Sequence, residues 1–184
     1  MRIVLLTGSP GVGKTTMVRR IADSLIARGV KVAGITTSEV RERDVRTGFR
    51  IRDLSSGAEG WLARKDPMGG SKIGLYRVIS EDLERVGVEA LRNVAKGRTD
   101  FVIVDEIGPM EMTSASFRSA LVKVFHGPQP TLATVKLGSK YEEVEMIREG
   151  CLQLELTKEN REQIHGILTD QIDDWMGRKE PENH

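Results

Sequence analysis

An octet near the N-terminus, Gly8-Ser9-Pro10-Gly11-Val12-Gly13-Lys14-Thr15, limits what this chain can fold into more than any other stretch. It follows the apolar run Ile3-Val4-Leu5-Leu6 and precedes an amphipathic segment. The order is strand, glycine-rich loop, helix, with the spacing G-x-x-x-x-G-K-[ST]. Such a loop turns its backbone N–H groups inward as an anion nest, and the helix behind it points its positive end at the same place. Glycines let the main chain approach polyphosphate oxygens without a Cβ in the way. On this reading Gly8, Ser9, Pro10, Gly11, Val12, Gly13, Lys14, Thr15 and Thr16 bind a nucleotide. Lys14 bridges the β- and γ-phosphates, and Thr15 sets its hydroxyl on Mg²⁺. The alternative is a plain glycine-rich turn between a strand and a helix.

Composition adds mainly exclusions. The 184 residues fit one domain with a proper core. A net charge of +1 gives no global field to recruit nucleic acid or a membrane surface, and 4% aromatics is little for a base-stacking platform. The lone Cys151 cannot form an internal disulfide, which fits a reducing compartment and a packed thiol near a strand. The apolar runs are far short of a membrane span, and the N-terminal one is a strand rather than a signal peptide. A cytoplasmic monomer is expected.

Met17, Val18, Ile21, Leu25 and Ile26 recur at helical spacing up to Arg28-Gly29, where Gly29 stops the helix. Val30–Thr36 is a second strand and completes a parallel βαβ unit of right-handed connection. Over residues 37–79 helical periodicity disappears. Gly48–Leu54 and Gly60–Ala63 flank the turn Ser55-Ser56-Gly57 as a β-hairpin, and a short strand is expected over Ile73–Val78 after Pro67-Met68-Gly69-Gly70. This antiparallel insertion carries Arg41, Arg43, Arg46, Arg50 and Arg52. Most are expected to be solvated charges, and one is available as an arginine finger for charge developing on a γ-phosphate.

Ser80 is the expected cap of a helix with Glu81-Asp82 in its first turn and Leu83, Val86, Ala90, Leu91 and Val94 on its buried face. Phe101–Val104 is apolar on both faces, as a central strand of a parallel sheet is, and ends in Asp105-Glu106 at the sheet edge where ligands bind. Thr113-Ser114 caps a helix bearing Phe117, Leu121, Val124 and Phe125. A strand at Thr131–Val135, a helix around Tyr141–Arg148 and a strand at Leu152–Leu156 follow. Ile164, Leu168, Ile172 and Trp175 share one face of the last helix. The expected layout is a single α/β domain over 1–176, with a mostly parallel central sheet flanked by helices, the β-rich insertion at about 37–79, and a polar tail at 177–184.

Asp105 fits the carboxylate that holds Mg²⁺, usually through its water. Glu106, one residue further towards the γ-phosphate, can polarise a water for in-line attack, or else is a capping charge at a turn. Glu111 either orients water or arginine side chains or caps the helix beginning near Thr113.

The segment Asp105-Glu106-Ile107-Gly108-Pro109-Met110-Glu111 resembles the Asp-Glu-Ile-Gly-x-Met-Glu signature of the cancer-related (thermophilic) nucleoside-triphosphatase family. Thr37-Ser38-Glu39-Val40-Arg41 and Gly48-Phe49 are similar to its Thr-Glu-Glu-Val-Arg and Gly-Phe elements. Ile73-Gly74-Leu75-Tyr76 with Val78 is similar to Val-Gly-x-Tyr-x-Val, and Thr157-Lys158-Glu159-Asn160-Arg161 to Thr-x-Glu-Asn-Arg. The resemblance runs from residue 3 to about residue 170. It implies a RecA-like P-loop domain that slowly hydrolyses the terminal phosphate of ATP, GTP and other nucleoside triphosphates with Mg²⁺. Ser38 and Met112 depart from the family's usual glutamate and leucine; the first bears on an acid near the metal, the second on packing. Read from residues alone, Asn160-Arg161 is a helix start with Thr157 as cap. The resemblance makes the pair base contacts instead, an amide on a base edge and a guanidinium on a base face. The chain lacks the Asn-Lys-x-Asp tetrad of a guanine-specific switch. Two rivals stay open: a nucleotide or small-molecule kinase with the insertion as lid, and a nucleotide-regulated binding module in which hydrolysis is a timer.

Overall fold

A computed structural model of the chain describes residues 1–65 and 69–177. The first half runs β1 (Ile3–Gly8), α1 (Lys14–Ala27), β2 (Val32–Glu42), β3 (Val45–Asp53), β4 (Glu59–Arg64), β5 (Lys72–Ile73) and β6 (Tyr76–Val78). One continuous helix follows, made of α2 (Ser80–Asp82), a π-helical stretch (Leu83–Val88) and α3 (Glu89–Val94). Then come β7 (Phe101–Ile107), a 3₁₀ turn (Glu111–Thr113), α4 (Ala115–Phe125), β8 (Thr131–Lys136), α5 (Glu142–Arg148), β9 (Leu152–Leu156) and α6 (Arg161–Met176).

All the strands lie in one sheet, ordered β5-β6-β4-β3-β2-β7-β8-β1-β9. From β9 to β2 every pairing is parallel. From β2 outward every pairing is antiparallel. The half that carries the phosphate loop is parallel and the segment expected as an antiparallel insertion is antiparallel, but it extends the same sheet as its other half. The β-rich insertion is continuous with the main sheet, because β2 runs through to Glu42 instead of stopping at Thr36 and turns at Arg43-Asp44 into β3. Asp44, with φ of 62°, sits in the left-handed region that aspartate tolerates in tight turns. The second turn falls at Ser55-Ser56-Gly57 as the sequence suggests, and Asp53 fixes it by accepting hydrogen bonds from Ser55 N, Ser55 Oγ and Ser56 Oγ. The expected strand over Ile73–Val78 splits into β5 and β6. Pro67 and Met68 of the preceding turn, and residues 178–184 of the tail, lie outside the described residues.

Each sheet face has its own core. On one, α1 and α6 cover Val4, Leu6, Phe101, Ile103 and Leu132 with Val18, Ile21, Leu168 and Ile172. On the other, the Ser80–Val94 helix with α4 and α5 covers Leu5, Ile35, Ile51, Leu62 and Val104. The apolar stripes read from sequence are buried except at their ends, where Trp175 on α6 is half-buried and Ile26 on α1 is exposed. Ile26 is 53% exposed, because the stripe on α1 ends at Leu25. Ser80 is the first helical residue rather than a cap, and no side chain caps that end. At Gly34 β2 and β7 meet so closely that a Cβ would lie 2.0 Å from the Ile103 carbonyl oxygen, and its φ of +109° also suits only glycine.

Candidate active site

The phosphate loop leaves β1 at Gly8 and enters α1 through Gly13, whose φ of 110° is left-handed. No side chain caps α1 and no acid occupies its first turn, so its leading N–H groups are directed to a ligand. Lys14 is only 6% exposed. Its Nζ donates to the Gly8 carbonyl at 3.0 Å and lies 3.6 Å from Glu106 Oε2. The loop is also held from outside. Arg161, at the start of α6, donates from Nε and Nη2 to the Val12 carbonyl oxygen at 3.1 and 2.8 Å.

Asp105 is fully buried at the carboxyl end of β7. Its Oδ1 accepts from the Thr134 hydroxyl at 2.6 Å. Its Oδ2 is buried with no hydrogen-bond partner among the described residues. Burial raises its pKa to about 6, against the pull of the Thr134 and Thr15 hydroxyls. An orphaned carboxylate oxygen in a polar site is the mark of a cation ligand. The described residues contain no cluster of three or more His, Cys, Asp or Glu that would cage a metal by themselves. Mg²⁺ does not require such a cluster, since it takes one or two protein ligands and keeps waters and phosphate oxygens for the rest. Asp105 and Thr15 are the residues that fit it.

Glu106 is partly exposed beside Lys14, so the octet and the acidic pair converge as the sequence suggests. Glu111 does not cap a helix. Ser114 does that, accepting from Phe117 N at 3.0 Å. Glu111 is instead 3% exposed, and burial, reinforced by the charges of Glu106 and Asp105, pushes its pKa up to about 8. At neutral pH it is mainly the protonated acid.

Asn160 turns its carboxamide inward on its own loop. Its Oδ1 accepts from Thr157 N at 2.8 Å and its Nδ2 donates to the Glu155 carbonyl at 2.9 Å. Of the five insertion arginines, Arg41 and Arg46 both pair with Glu39, Arg52 faces Glu59, and Arg50 stacks over Trp61. Two site residues escaped the sequence reading. Thr134 holds Asp105, and Thr36 lies in register with Asp105 on the neighbouring strand. Both are buried hydroxyls in otherwise largely apolar strands, and since β8 also buries Thr131, sequence alone did not single out Thr134.

Fold and site together define a class, an α/β single-domain nucleoside-triphosphate hydrolase related to the P-loop superfamily. A family model described as NTPase matches residues 3–169. The nucleoside-triphosphatase THEP1 of Methanosarcina acetivorans is 40% identical over 170 residues, 92% of this chain and 95% of that protein. That of Thermofilum pendens is 50% identical over 132 residues, 71% of each. Among solved structures, THEP1 from Aquifex aeolicus superposes with a TM-score of 0.78 at 32% identity, covering 96% of this chain and 99% of that one. A human cancer-related nucleoside triphosphatase gives 0.81 at 33% identity, covering 97% of this chain and all of that one. The chain belongs to the THEP1 nucleoside-triphosphatase family.

Proposed function

We propose that the chain hydrolyses the terminal phosphate of ATP, GTP and other nucleoside triphosphates, with Mg²⁺, to give the diphosphate and inorganic phosphate. The observation that carries this reading is the placement of Glu106 Oε2 at 3.6 Å from Lys14 Nζ, beside the unpartnered Asp105 oxygen. Residues Gly8 to Thr16 cradle the phosphates, and Lys14 sits where negative charge grows on the β- and γ-oxygens. Thr15 and Asp105 would hold Mg²⁺, which would neutralise phosphate charge. Glu106 accepts a proton from the attacking water, and its partial exposure leaves a path for that water. Arg161 fixes the loop through the Val12 carbonyl. Asn160 and Arg161 are expected from sequence to touch the base; with the Asn160 carboxamide engaged by Thr157 and Glu155, its role in this reading is to hold the turn before α6.

A glutamate placed to activate water favours hydrolysis over transfer to an acceptor, because a kinase has to exclude water. The net charge of +1 supports a chain with neither nucleic acid nor membrane as partner, and the single cysteine supports a cytoplasmic setting. No helix among the described residues is long and apolar enough to cross a membrane. Phosphate release from ATP and from GTP, with Mg²⁺ and no acceptor, tests the reading. Both nucleotides should turn over, and Lys14→Ala should abolish turnover and weaken binding. Near-normal hydrolysis by Lys14→Ala would overturn the phosphate-loop assignment.

A further inference from the structure

The sheet face that carries Asp105 continues, at the same level, into a second polar cavity. Thr36 pairs with Asp105 across β2 and β7, Arg52 pairs with Thr36 across β3, and Glu59 pairs with Arg52 across β4. Side chains in register share a face, so these four form one row. The next row out is Ser38, Arg50 and Trp61. The opposite face of these strands is packed under the Ser80–Val94 helix through Ile51 and Leu62. This face instead meets only the flank of α1, and between them lies a cavity of about 460 Å³. Arg19, Arg50, Arg52, Thr36 and Ser38 line it, with Asp23 and Glu59 as its acids.

We infer that this cavity binds a second phosphate group, separate from the one held by the glycine-rich loop. Its volume is in the range of small-ligand sites. Three arginines line it against two acids. Arg52 Nε stands 3.7 Å from Glu59 Oε1, and Arg19 and Arg50 are in no ion pair among the described residues. Arg50 is pre-oriented by stacking over Trp61, 4.2 Å from the ring centroid. Forked guanidiniums match phosphate geometry, and the Thr36 and Ser38 hydroxyls add donors. Strands are about 4.8 Å apart, so Arg52 stands roughly 10 Å from Asp105 along the row. A phosphate held there is a neighbour of the reaction site without sharing its ligands. The same chemistry serves free inorganic phosphate or the phosphate of a small ester.

Trp61 does not line the cavity, but it carries Arg50 stacked on its ring and so reports on the cavity through that side chain. In a Trp175→Phe background its fluorescence is followed while inorganic phosphate, and separately ribose 5-phosphate, is added to the full chain and to its Lys14→Ala variant. The expected result is a saturable change that persists in Lys14→Ala and weakens at least about tenfold in Arg50→Ala/Arg52→Ala. Tighter binding of phosphate than of ribose 5-phosphate identifies the free ion, and the reverse order identifies an ester. Arg19→Ala, which changes α1 and leaves the sheet intact, should weaken binding as well and serves if the double variant does not fold. Absence of saturation with both probes overturns the inference. So does saturation lost in Lys14→Ala, which would place the anion in the glycine-rich loop, or saturation unaffected by all the arginine changes. Because Lys14→Ala is one arm, a failure of the triphosphatase reading and a failure of this site give different results.

Discussion

At the scale of single residues, the site holds two carboxyls that burial keeps from ionising freely. Glu111 has a reference value of 4.5 and about 8 in the fold, and Asp105 goes from 3.8 to about 6. Between those limits the folded state binds more protons than the unfolded one, so stability is fully present below the unfolded values and falls as pH rises through the folded ones. Above pH 6 only the Glu111 part of that fall remains. Glu111→Gln should therefore flatten the stability profile between pH 6 and 8, as read by urea midpoints, while a slope equal to wild type would contradict a protonated Glu111. Asp105→Asn removes a buried charge that lacks a partner on Oδ2. It should raise stability without ligand by about 1–3 kcal/mol at neutral pH and abolish the extra stabilisation by Mg²⁺ with nucleotide. Thermal denaturation with and without Mg²⁺ and nucleotide checks both halves, and a variant stabilised by them as strongly as wild type would remove Asp105 from the metal site.

Elements carry constraints of a different kind. The phosphate loop is short, and its outer side is braced by α6 through two hydrogen bonds from Arg161 to one carbonyl oxygen. Charged hydrogen bonds of this sort contribute about 1.5–3 kcal/mol. Arg161→Ala should lower kcat/KM about tenfold, mainly through KM, and Arg161→Lys should not restore it, since an ammonium cannot reproduce the fork. Unchanged steady-state kinetics would show that the brace does not reach the nucleotide. In the sheet, Gly34→Ala drives a Cβ into the Ile103 carbonyl and should cost at least about 2 kcal/mol by denaturant unfolding, whereas Gly29→Ala, with nothing within 4 Å, strains only its own positive φ. Equal costs at the two positions would mean that β2 and β7 are not so tightly apposed.

Across the whole molecule, the parallel half was legible because its signals are local. A strand buried on both faces reads as an apolar run, and the octet and Asp105-Glu106 mark where two such strands end. Ile164, Leu168 and Ile172 likewise show the buried face of α6 by spacing alone. The antiparallel half was only partly legible. Ser55-Ser56-Gly57 announces its turn, but Arg43-Asp44 has no glycine, and β2 becomes polar beyond Thr36 where it leaves the helices. The π-helical stretch has no periodicity of its own, since its apolar residues also satisfy an ordinary helix. Long-range pairs such as Thr134 with Asp105, Arg161 with Val12, or Thr36 with Arg52 depend on strand order, which no single segment encodes. The proposed catalytic centre, Lys14 with Asp105 and Glu106, lies at the carboxyl ends of β1 and β7, inside the parallel half. The most direct test of that centre is phosphate release from ATP and GTP with Mg²⁺ by Glu106→Gln beside wild type, with nucleotide binding measured on both. If Glu106 activates the water, the variant binds nucleotide and loses at least about 10²-fold in turnover for both bases. Turnover within a few-fold of wild type would contradict Glu106 as the general base.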